Sequence, residues 1–131
     1  MAAGGLQHLL ILTDDIDATR DFWCGALDLT EGERPPLEFP GYWLYAGGVP
    51  CVHVADRGAY EAHSESIGIP ASELPVDHVA FSEEGYDDVV ARLESRGIEA
   101  AANEVPGAGL RQLFIQDPNG VKVEINVKES S

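Results

Sequence analysis

Three imidazoles and one carboxylate are the side chains whose types and spacing point to metal chemistry: His8, His53, His78 and Glu124. His8 and His78 lie 70 residues apart, and His53 and Glu124 lie 71 apart, so the four form two pairs at nearly one offset. Each sits in a short apolar run, "LQHLLIL", "VPCVHVAD", "VDHVAFS" or "VKVEINV". Alternate side chains of a strand share a face. Val52 and Val54 therefore point away from His53, Val79 and Phe81 away from His78, and Val123 and Ile125 away from Glu124. His8 is less clean, because Leu6 and Leu10 share its face. Three imidazoles and a carboxylate suit a borderline divalent ion such as Zn, Fe, Ni, Co or Mn. The short spacings CxxC and HExxH are absent. A lone Glu in an antiparallel strand ordinarily faces water, so the case for Glu124 rests on the repeat. His63 has no repeat partner and reads as a surface residue.

The elements that must position these residues follow the same repeat. "LQHLLILT" reads as a strand, and "DDIDATRDFWCGALDL" as a helix capped by Asp15 or Asp17. Its stripe is Ala18, Phe22 and Ala26, flanked by Trp23 and Leu27. Short strands follow around residues 30–34, in "EFPGYWLYA" and in "VPCVHVAD", broken by "RPP" and "AGGVP". Residues 57–75 lack a strong period and read as a linker with a helical turn. Then come the strand "VDHVAFS", the helix "EEGYDDVVARLESRG" with its stripe Tyr86, Val89, Val90 and Leu93, and the strands "IEAAANE", "LRQLFIQ" and "VKVEINV". Gly97 marks the stop of that helix, and Asp117-Pro118-Asn119-Gly120 a tight turn before the last strand. Both halves spell strand–helix–strand–strand–strand, and duplication is the strongest organisational signal of the chain. The expected class is α+β: two pseudo-symmetric βαβββ modules whose curved mixed sheets enclose a cavity, with helices on the outer face. The modules span residues 5–56 and 76–128, joined by 57–75 into one domain.

Composition excludes more than it names. The chain has 131 residues and a formal charge of −15, with 8 basic against 23 acidic residues. Nucleic acid is a poor partner for such a balance, since basic patches supply that affinity. No apolar run approaches the ~20 residues of a membrane span, and no basic residue precedes a secretory h-region. The expectation is a soluble, cytoplasmic protein. Cys24 and Cys51 form no disulfide framework and read as reduced, structural residues.

The chain resembles the vicinal oxygen chelate superfamily, which includes glyoxalase I, methylmalonyl-CoA epimerase, fosfomycin-resistance proteins, bleomycin-binding proteins and extradiol dioxygenases. "LQHLLILTDDIDATRDFWCGALDL", "VDHVAF" and "FIQDPNGVKVEI" carry the resemblance, which covers nearly everything outside 57–75. It implies paired βαβββ modules around an open-sided metal cavity, often in a homodimer. His8 and His78 would be the first-strand ligands of the two modules and Glu124 the last-strand carboxylate. His53 stands where glyoxalase I-like proteins carry Glu, so one of the two carboxylates of that reaction is missing. The neutral ligand of methylmalonyl-CoA epimerases is closer to it. Bleomycin-binding members lack the metal set, and the anion-binding loop of fosfomycin transferases has no equivalent here.

The activity implied is that of a metal-dependent lyase or isomerase on a small molecule that chelates the ion through two neighbouring oxygens. Glu124, His53 or Glu38 (placed on an adjacent strand) would move the proton. Tyr45, Trp43, Phe114 and Arg111 would wall the pocket and recognise an anion. An extradiol-type Fe(II) dioxygenase and a non-catalytic binder of an aromatic or antibiotic ligand are the alternatives, because function lives in the site and not in the fold.

Overall fold

A computed structural model of the chain describes residues 3–116 and 121–128. The expected turn at 117–120 lies outside the described residues. The order of elements is β1 (Gly5–Thr13), α1 (Ile16–Leu27), β2 (Thr30–Gly32), β3 (Gly41–Ala46), β4 (Val49–Asp56), α2 (Arg57–Ser66), β5 (Val76–Glu83), α3 (Tyr86–Ser95), β6 (Ala101–Val105), β7 (Leu110–Gln116) and β8 (Lys122–Lys128). The class is α+β, and each half carries the βαβββ order. The chain divides into two compact units, residues 8–78 and residues 1–7 with 79–131. The division runs through β1 and β5 and not through residues 57–75.

In residues 8–78 the strand order is β2-β3-β4-β1. β1 runs parallel to β4, with Leu10 beside His53, and β3 pairs antiparallel with β4. Gly47 and Gly48 join those two strands with φ of +57° and +81°. Positive φ at both central residues is what a two-residue hairpin needs to match strand twist. Asp15 caps α1 by accepting a hydrogen bond from the Ala18 amide. The buried line of α1 differs from the expected stripe: Ile16, Trp23 and Cys24 pack against Leu44, Val52 and Val54. Ala18 and Ala26 are exposed, and Phe22 is 66% exposed. Cys51 packs on the same cluster, and both cysteines are free.

Residues 57–66 form a helix where the sequence suggested a linker with one turn. Asp56 caps it through the Ala59 amide, and it buries Tyr60 and Ser64, one turn apart. Tyr60 closes a second cluster with Leu10, Leu12, Phe39 and Ala55. This explains why the His8 face of β1 reads apolar at positions 10 and 12: those residues lie under α2.

In residues 1–7 with 79–131 the strand order is β5-β8-β7-β6. Here the expected helix stripe holds, since Val89 and Leu93 of α3 bury against Leu113, Ile125 and Val127, with Tyr86 and Val90 beside them. Gly97 takes φ +68° and donates to the Glu94 carbonyl, which ends the helix as read. Among the described residues no helix is long and apolar enough to cross a membrane.

Gly41 tests the β3–β4 packing. A Cβ there would stand 2.1 Å from the Val54 carbonyl oxygen, a backbone atom fixed in the ladder. Gly41→Ala is expected to cost about 1–3 kcal/mol or more, as overpacking does. Urea unfolding should show a lower midpoint at an unchanged slope, and a wild-type midpoint would refute the close approach.

Candidate metal centre

Within residues 8–78, β1 delivers His8, β4 delivers His53 and β5 delivers His78. The Leu12 amide donates to the Pro75 carbonyl, which fixes the start of β5 beside β1. His8 and His78 are both buried, each 5% exposed, and their Nε2 atoms are 3.3 Å apart. Two metal–nitrogen bonds of about 2.0–2.1 Å at a tetrahedral angle place their nitrogens about 3.3 Å apart. The pair therefore has the donor type and separation of two ligands to one ion.

The outer nitrogen of His78 is also held. Its Nδ1–H donates to Asp77 Oδ2 at 2.8 Å. A carboxylate only accepts, so the neutral ring keeps its lone pair on Nε2, the atom that meets His8. Asp77 is 2% exposed and also accepts from the Tyr60 hydroxyl and the Ser72 amide.

His53 behaves differently. Its ring stacks on His8 with centroids 3.7 Å apart and planes 16° apart. On its other side Trp43, its cross-strand partner, stacks at 4.1 Å and 8°. Its Nε2–H donates to the Pro50 carbonyl at 3.0 Å. The in-plane lone pairs of two stacked rings lie in nearly parallel, separate planes, so those of His53 and His8 do not meet at one point, whereas the edge-on rings of His8 and His78 bring their Nε2 atoms to 3.3 Å. Burial pushes His8 down to about 2, with further lowering from the charges that His53 and His78 would carry. Burial also drives His53 down to about 3, against a smaller upward effect of its bond to Pro50. Both rings are neutral at pH 7, the form in which imidazole binds metal.

In the unit of residues 1–7 and 79–131, Glu124 is 5% exposed, so the expectation that a lone strand Glu faces water fails. Both faces of β8 are covered: Ile125 and Val127 pack under α3, while Lys122, Glu124 and Asn126 are buried on the other side. Phe114 faces Glu124 across the β7–β8 ladder, with the Lys122 ammonium 5.9 Å from its ring. A row of side-chain amides leads to the carboxylate. Asn103 donates to Gln112, Gln112 to Asn126, and Asn126 to both Glu124 Oε2 at 2.7 Å and Gln7 Oε1 at 2.6 Å. The bond from Asn126 orients Glu124 without adding charge.

The remaining sequence-derived residues lie elsewhere. Glu38 is not on a strand; it is exposed and its carboxylate meets His63 Nδ1 at 3.3 Å. His63 sits on α2 against the Phe39 ring. Tyr45 donates to the Glu33 carbonyl and lines a surface groove with Thr30, Gly32 and Gly47. Arg111 shares the helix-packed face of β7 with Leu113 and Ile115, its guanidinium 3.4 Å from the centroid of the Tyr86 ring. Gln112 and Phe114 point the other way. Asp77, Tyr60, Gln112 and Asn126 carry none of the expected roles and hold the partners described above. Their one sequence signal is an acid directly before His78.

A family model described as the glyoxalase/bleomycin resistance protein/dioxygenase superfamily matches residues 5–125. The chain belongs to that superfamily. Similar solved structures include a hypothetical protein of Bacillus halodurans, 20% identical, covering 97% of this chain and 96% of that one, with a TM-score of 0.67. Methylmalonyl-CoA epimerase from Mycobacterium tuberculosis is 18% identical over 98% of this chain and 90% of its own, with a TM-score of 0.69. The Mn(II)-bound glyoxalase from Novosphingobium aromaticivorans is 18% identical over 96% of this chain and 39% of its own, with a TM-score of 0.66. These likenesses show the fold. Among curated proteins nothing matches.

Proposed function

We propose that the protein is a divalent-metal-dependent lyase or isomerase of the superfamily, with His8 and His78 as ligands and Glu124 as the last-strand carboxylate that the family resemblance implies. The observation that carries this reading is the buried His8–His78 pair, with Nε2 atoms 3.3 Å apart. The donor set of two imidazoles and a carboxylate accommodates Zn, Fe, Ni, Co or Mn. A bound ion supplies Lewis-acid stabilisation of negative charge on a chelating substrate oxygen. The protein's own contribution is a dry donor set: His8 stays neutral and His78 presents Nε2. Trp43 and Phe114 offer aromatic surface to the organic part of a small substrate.

Proton transfer narrows to Glu124 or His53, since Glu38 is exposed and engaged by His63. His53, with Nε2–H committed to Pro50, offers Nδ1 as its acceptor atom. Similarity to epimerases and to a Mn(II)-bound glyoxalase supports proton-shuffling chemistry on an activated carbonyl compound, including acyl thioesters.

The test is elemental analysis of untagged protein, followed by reconstitution with Mn(II), Co(II), Zn(II) or Fe(II). Metal-dependent exchange of a substrate C–H for deuterium, with an acyl-CoA or a hemithioacetal as probe, is the expected result. Oxygen uptake with a catechol instead would replace the reading with a dioxygenase. Saturable ligand binding without metal would replace it with a binding module.

A further inference from the structure

We infer that Asp77 is the positioning residue that sets the tautomer and aim of His78, and that α2 reaches the metal centre through it. The inference rests on the metal reading for its consequence, though not for its geometry. Adjacent residues of a strand project to opposite faces, yet Asp77 Oδ2 lies 2.8 Å from His78 Nδ1. A carboxylate with 0% side-chain exposure is costly unless donors satisfy it, and three donors converge here. They are His78 Nδ1–H, the Tyr60 hydroxyl from α2 and the Ser72 amide from the segment before β5.

That segment is itself held by α2. Arg57, in the first turn of the helix, donates to the carbonyls of Ser72 and Leu74. The region that reads in the sequence as a linker with a helical turn therefore supplies both Tyr60 and Ser72 to the carboxylate that holds His78. The first module differs at the matching place, where the neutral amide of Gln7 precedes His8. The charged support belongs to the second module.

A metal-ligating His held this way gains ligand basicity and a fixed ring, and losing such a support costs about 10–100-fold in metal affinity. The experiment has two readouts. The first is the His78 tautomer in metal-free wild type, read from long-range proton–nitrogen imidazole spectra. The second is Mn(II) affinity of wild type, Asp77→Asn and Tyr60→Phe by calorimetry, with near-ultraviolet dichroism as the fold control.

Wild type should show Nδ1–H at His78, and Asp77→Asn should shift population toward Nε2–H. Asp77→Asn should bind Mn(II) about 10–100-fold more weakly, and Tyr60→Phe more weakly by a smaller factor with the tautomer kept. An Nε2–H tautomer in wild type overturns the assignment, as does an Asp77→Asn protein that binds within twofold of wild type. If Asp77→Asn does not fold, the wild-type tautomer and Tyr60→Phe decide. If wild type binds none of Mn(II), Co(II), Ni(II), Zn(II) and Fe(II), the metal reading fails, while the tautomer still decides the role of Asp77.

Discussion

His78→Ala is expected to lower divalent-metal affinity on the order of a thousandfold, beyond the ~10–100-fold that follows loss of an outer support. The variant removes a buried nitrogen of the donor pair outright. His8→Ala should match it, because the two Nε2 atoms stand as equivalents 3.3 Å apart. His53→Ala should cost less than about tenfold, since its ring stacks on His8 and its Nε2–H is spent on Pro50. Competition titration with a chromophoric chelator gives the three numbers side by side. Equal losses at all three positions would make His53 a ligand and undo the distinction drawn from ring orientation.

Acid should unfold the metal-free protein through its neutral buried histidines. His8 and His53 titrate at about 2 and about 3 in the folded chain, against 6.5 when unfolded. Below pH 6.5 the unfolded chain binds protons that the folded chain refuses. Stability from these groups is thus complete above that pH and falls as pH drops toward the folded values. Each group contributes about 1.4 kcal/mol per pH unit in that window. Two together remove on the order of 5 kcal/mol by about pH 4.5, comparable with the ~5–15 kcal/mol stability of a typical domain.

The net charge of −15 acts the other way, because acid neutralises carboxylates and relieves self-repulsion. The difference between wild type and the double variant His8→Gln, His53→Gln isolates the histidine effect. Parallel curves of urea midpoint against pH for the two proteins would contradict the burial of neutral rings.

The fold was legible where pattern and packing agree. α3 shows one apolar stripe, and that stripe is buried. α1 offers two stripes side by side, because Phe22 and Trp23 are neighbours. Thr19 and Arg20 interrupt the true one, so simple periodicity selects the exposed Phe22. α2 was missed because a ten-residue helix that buries Tyr60 and Ser64 has almost no apolar stripe to read. The capping Asp56 was its one signal.

The site followed the same logic. The offset of 70 exposed the His8–His78 pair, which the geometry brings together. Alternation assigns Glu124 a face but cannot tell that both faces of β8 are covered. Alternation also hides Asp77, since it separates residues that are adjacent in sequence. Glu38 reads as a strand residue only because, in sequence, the bend at residues 38–39 is not distinguishable from an edge strand.

The place of β8 has a consequence for the order of synthesis. It lies between β5 and β7, although it leaves the ribosome after both of them. A nascent chain stalled before Lys122 presents β5 and β7 with two bare edges separated by one strand width. Bare edges template pairing with other chains. Chaperone demand and inclusion-body formation should therefore peak for translation intermediates that stop between β7 and β8.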